Sequence, residues 1–162
     1  MMILLFSVGG DNYGINVRDI TEVLPSVALK HLPNGPEYVA GLLNYRGQVV
    51  PVIDLTMLMT AQASRHRISS RIVLVDYHHE NTSHHLLGLL IEKITETLRV
   101  PGHAFTNSGV ATHDTPFLGD VAIHNDAIIQ LVDIRNVLPE SVKILLFCDN
   151  RDASAVDHGA AG

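Results

Sequence analysis

With one cysteine, Cys148, the chain can neither close an internal disulfide nor build a thiolate metal cage, and a reducing compartment is expected. Tryptophan is absent and only four Phe and four Tyr are present, too few for a platform on which single-stranded bases could stack. Cations are also scarce: eleven Lys and Arg face seventeen Asp and Glu, a formal net charge of −6. Phosphate backbones are held by clustered cations, so no nucleic-acid partner is expected. The longest apolar stretches, Leu86 to Ile91 and Val49 to Ile53, fall far below the roughly 18–20 residues of a membrane helix. Met1 to Phe6 is apolar but lacks a preceding positive charge and a small-residue cleavage site, so it reads as a strand and not as a signal peptide. A cytoplasmic protein without membrane insertion is expected.

What the chain does have is apolar residues, 46% against 17% charged in 162 positions, enough to bury the core of one ordinary domain. Short apolar runs punctuated by turn residues dominate it. Ile3 to Val8 and Tyr13 to Val17 flank Gly9 to Asn12, and Gly41 to Tyr45 and Gln48 to Ile53 flank Arg46-Gly47. Val121 to His124 and Ala127 to Val132 flank Asn125-Asp126, and each set predicts a hairpin. Ile20, Val23 and Leu24 fit either a helical turn or a bent strand closed by Pro25. Asp54 and Asp133 are placed to cap short helices. Thr60 to Ser70 reads as a linker, Arg71 to Tyr77 and Leu86 to Ile91 as strands around a polar loop, Gly102 to Pro116 as a loop, and Glu140 to Phe147 as a last helix. The tail from residue 149 to 162 is expected to be disordered.

An internal repeat is the most informative feature. Gly14 to Leu24 recurs as Gly88 to Leu98, 74 residues on, and Val49 to Leu55 recurs as Ile128 to Ile134, 79 residues on. Each half offers about five short strands, enough to close a small barrel, with the boundary expected near residues 60–70.

Chemistry-bearing motifs are few. There is no G-x-S-x-G, P-loop or dinucleotide fingerprint. His78, His79, His84 and His85, with Glu80, form the one cluster that could ligate a metal. Adjacent histidines on a strand point to opposite faces, so the cluster reads as a polar hairpin tip, and a metal-dependent hydrolase using it is kept as an alternative function. Neither a metal nor another cofactor is expected. Cys148 reads as a small buried hydrophobe at a helix end. Arg46, next to Gly47 at a hairpin tip, could present its guanidinium fork to one carboxylate, with Glu22 as candidate partner, or could be a solvated turn residue.

The strings FSVGGDNYGINV, ITEVL and LLNYRGQVVPVIDL resemble the CheW-like domain of bacterial chemosensory coupling proteins. The resemblance spans about Ile3 to Pro139 and, within the family, points to adaptors of surface-sensing systems that control cyclic di-GMP. It implies an all-β fold with short helices, built as two SH3-like five-stranded β-barrel subdomains within one domain over residues 1–148. It also implies a non-enzymatic adaptor that joins the cytoplasmic tip of a methyl-accepting chemoreceptor to a chemotaxis-type histidine kinase, at receptor arrays on the inner face of the membrane. Carried over by motif, Glu22 and Arg46 match the family's paired acidic and arginine positions. Gly41, Asn44, Gly47, Pro51 and Asp54 match its structural string, and Ile20 and Ile94 lie near the expected groove between barrels. Ile20, Glu22, Gly41, Asn44, Arg46, Gly47 and Ile94 are thus the candidate protein-binding residues. Tyr45 departs from the pattern, standing where a smaller aliphatic residue is common.

Overall fold

The computed structural model describes residues 1–65, 67–78, 84–109 and 115–147. Among the described residues ten strands run in chain order: β1 (Met2–Val8), β2 (Asp11–Asn16), β3 (Ile20–Pro25), β4 (Val39–Tyr45), β5 (Gln48–Asp54), β6 (Arg71–His78), β7 (His84–Ile91), β8 (Lys93–Arg99), β9 (Leu118–His124) and β10 (Ala127–Val132). Helix α1 (Leu55–Thr60) follows β5 and α2 (Glu140–Leu146) follows β10. The strands form two five-stranded sheets, in the orders β8-β1-β2-β10-β9 and β3-β6-β7-β5-β4. Each is an SH3-like barrel, here called the terminal and the central barrel.

Turn chemistry fixes the hairpins. Gly9 and Gly10, Arg46 and Gly47, and Asn125 and Asp126 all have positive φ, the backbone that a two-residue turn needs to match strand twist. The Ile20 to Leu24 segment is a strand, with a bulge between Ile20 and Glu22. The turn that precedes it falls on Val17–Asp19, where Asn16 Oδ1 accepts the Arg18 N–H. Helix α1 is capped as expected: Asp54 accepts the N–H of Met57 through Oδ1 and that of Ser64 through Oδ2. The segment read as a linker is tied down by such bonds, the N–H of Arg65 to Glu92 and the Ser69 hydroxyl to the Glu92 carbonyl among them.

The edges of each sheet meet. Lys30, beyond β3, exchanges backbone hydrogen bonds of 2.9 and 2.8 Å with Leu42 on β4, and Thr106, beyond β8, does the same with Val121 on β9. One isolated bridge thereby closes each sheet on itself, which leaves shorter unpaired edges of the kind that invite aggregation.

The boundary near residues 60–70 separates the two sequence repeats but does not separate the barrels. β5 pairs in parallel with β7, Val52 opposite Gly88, and β10 pairs in parallel with β2, Leu131 opposite Gly14. These are the repeat positions found in the sequence, now seen to be reciprocal. Each repeat lends strands to both barrels: β3, β4 and β5 join β6 and β7, while β1 and β2 join β8, β9 and β10. Matched backbone bonds extend the correspondence, from Asp54 N–H to the Tyr38 carbonyl and from Asp133 N–H to the Phe117 carbonyl, both 2.7 Å.

Strand alternation explains the three cores. On β1, Ile3 and Leu5 face the interior of the terminal barrel, while Leu4, Phe6 and Val8 face a core shared with the central barrel. On β6, Ile72 and Leu74 point into the central barrel and Val73, Val75 and Tyr77 into the shared core. Burial on both faces is why these two strands read as unbroken apolar runs. In the shared core the buried Tyr77 hydroxyl has no well-formed hydrogen bond among the described residues; burial raises its pKa above the ordinary phenol value, and the nearby Lys143 ammonium opposes that rise. Since an unsatisfied buried hydroxyl costs about 1–3 kcal/mol, Tyr77→Phe should hold or raise stability in a urea melt. A loss above 1 kcal/mol would show that the hydroxyl is bonded.

Candidate functional site

The side chains of Glu22, Tyr45 and Arg46 meet at the seam of the central barrel, where edge strands β3 and β4 face each other. Glu22 lies on β3 opposite Leu74, and Tyr45 ends β4 opposite Gln48. The half-buried Tyr45 ring packs on the barrel interior, as do Leu24 and Leu86. Its hydroxyl donates a hydrogen bond to Glu22 Oε2. Chiefly because that carboxylate accepts the proton, the Tyr45 pKa lies above the ordinary phenol value, with burial adding to the effect and Arg46 opposing it.

Arg46 Nη2 is 3.8 Å from the same Oε2, with its side chain 77% exposed. That is an ion pair longer than a hydrogen bond. The guanidinium carbon sits 5.1 Å from the centroid of the Tyr45 ring, within cation–π range. The turn places it: Arg46 has φ of 51°, Gly47 of 85°, and Asn44 Oδ1 accepts the Gly47 N–H at 3.0 Å.

The structure thus brings Glu22, Asn44, Arg46 and Gly47 together. Gly41 is buried, at the closed seam. A Cβ there would lie 2.6 Å from the Lys30 carbonyl oxygen, and its φ is +150°, so it shapes the surface from below and offers no side chain to a partner. Ile20 and Ile94 lie apart from this cluster. They occupy corresponding places, Ile20 opposite Val75 and Ile94 opposite Phe6, each half-buried against the shared core.

Sequence reasoning missed that Tyr45 bonds Glu22, since the only signal was its size at a position usually smaller. It also missed the cross-strand pair Ile123 and Ile128 on the β9–β10 hairpin, which are 76% and 64% exposed. The extra apolar residue beside Ile129 in the run AIIQLV was the available sign.

The histidine-rich loop gives the hydrolase alternative no support. His84 Nδ1 meets the Asp76 carboxylate at 3.1 Å, the His85 ring stacks on Phe147, and among the described residues no group of three His, Cys, Asp or Glu could hold a metal. His79 and Glu80, like Cys148 and residues 149–162, lie outside the described residues. Among the described residues no helix is long and apolar enough to cross a membrane.

Comparison with known proteins follows the same lines. The CheW-like domain profile matches residues 2–142. The chain is 21% identical to a chemotaxis protein CheW of Klebsiella aerogenes, over 83% of this chain and 80% of that one. It is 27% identical to a CheW of Helicobacter pylori, over 59% of this chain and 54% of that protein, so the match spans about half of that relative. The scaffolding protein TtCheW of Thermoanaerobacter tengcongensis superposes with a TM-score of 0.76 at 26% identity, over 85% of this chain and 87% of that one.

Proposed function

The chain belongs to the CheW-like domain family, and on that premise we propose that it is a non-enzymatic chemotaxis adaptor, coupling the cytoplasmic tip of a chemoreceptor to a chemotaxis-type histidine kinase. The observation that carries this reading is the two-barrel architecture, shared over most of the chain with a scaffolding protein. The kinase meets the seam of the central barrel through Glu22 and Arg46, on a turn shaped by Gly41, Asn44 and Gly47. The receptor helix lies against the junction of the barrels, beside Ile20 and Ile94. Such a protein works at receptor arrays on the inner face of the membrane.

Ile94→Asp tests the receptor half. Ile94 is half-buried, so a carboxylate can reach water in the free protein but is desolvated without a partner under a bound helix. Receptor binding measured by calorimetry should fall by at least about tenfold, 1.4 kcal/mol, while kinase binding survives. Retained receptor binding would place the groove elsewhere, and loss of both would mean a shared surface or an unfolded variant.

A further inference from the structure

We propose that Tyr45 is a positioning residue that keeps Glu22 from engaging Arg46 closely, so that the Arg46 guanidinium is presented to a carboxylate on the partner. This rests on the adaptor reading and names the chemistry its kinase-facing site selects.

A guanidinium carries five donors in a flat fork that suits a carboxylate bidentately. Glu22 is near enough to accept such a fork, yet its Oε2 accepts the Tyr45 hydroxyl, and Arg46 stands off at 3.8 Å. Among the described residues Arg46 has no other ionic partner. The Tyr45 ring supports the guanidinium from one side, which reduces the freedom it would lose on binding. The fork is thus exposed and preorganised, on a chain of net charge −6, and among the described residues no acidic group other than Glu22 pairs with it. An acidic side chain of the partner completes it.

The fold does not require this arrangement. At the corresponding seam of the terminal barrel stand His124, Asn125 and Glu96, in matching register. That barrel closes through the same kind of backbone bridge, Thr106 to Val121, with no hydrogen bond or ion pair among those three side chains. The cluster in the central barrel is therefore an addition to the seam and not a condition of closing it.

Three variants of the full chain, Tyr45→Phe, Arg46→Ala and the double variant, decide the matter against the purified kinase. Tyr45→Phe keeps the ring but frees Oε2, so Arg46 should fall back onto Glu22. Kinase affinity should drop roughly three- to tenfold with the melt unchanged. In the Arg46→Ala background the same change should have no further effect, and the affinity of Arg46→Ala should depend less steeply on salt than that of the wild type. A Tyr45→Phe effect that persists without Arg46 would make Tyr45 a direct contact and overturn the proposal, as would unchanged affinity. A partner-free measurement accompanies these: hydrogen exchange of the Arg46 Nε–H by NMR should slow in Tyr45→Phe, and an unchanged rate also overturns it. If the wild type binds neither kinase nor receptor, the adaptor reading fails and the carboxylate partner with it, while the exchange rate separately decides whether Tyr45 holds Glu22 off.

Discussion

Cutting the chain between α1 and β6 should give two fragments that are each unfolded and that regain sheet structure only when mixed. The fragment ending in the segment after α1 would keep β1 to β5 but lose β6 and β7 from the central barrel and β8, β9 and β10 from the terminal one. Its remaining hairpins, β1–β2 and β4–β5, are two-stranded units, which are marginal in water. The other fragment is left with β6–β7 and β9–β10. Both lose the shared core, because Phe6 and Leu4 come from one repeat and Val73, Val75 and Leu89 from the other. Circular dichroism of each fragment alone and of their mixture checks this. A cooperative melt for either one by itself would show that a repeat is an autonomous barrel.

Gly41→Val should be among the most damaging single changes in the central barrel. The Cβ would stand 2.6 Å from the Lys30 carbonyl oxygen and 2.9 Å from Leu29 Cβ, on a backbone with φ of +150°. The oxygen belongs to the backbone bridge between Lys30 and Leu42, so it cannot swing aside as a side-chain tip could. Relief requires opening the seam, which breaks both hydrogen bonds of the bridge and leaves four backbone groups to find new partners. Steric strain and backbone strain together should cost about 2–4 kcal/mol. For a chain of this size that lowers Tm by roughly 5–15 °C. Gly102→Ala is the control: its Cβ would meet nothing within 4 Å, and stability should stay within about 0.5 kcal/mol. Equal melts for the two variants would mean that the bridge gives way without cost.

The sequence by itself determined whatever depends on neighbours along the chain. Positive-φ pairs at Gly9-Gly10, Arg46-Gly47 and Asn125-Asp126 set the hairpins, since two residues choose the turn. The caps at Asp54 and Asp133 need only the next few N–H groups. The repeats around Gly14 and Gly88 were legible because duplicated surroundings keep the same apolar pattern, and Glu22 and Arg46 were legible through a motif. Only the tertiary structure decided which strands share a barrel. Alternation with a period of two tells which face of a strand is buried but not what it faces, so the parallel pairs β5–β7 and β2–β10 and the interleaving of the repeats left no mark that could be read locally. The hydrogen bond between Tyr45 and Glu22 joins residues on opposite edges of one sheet, and those edges become neighbours only when the sheet closes.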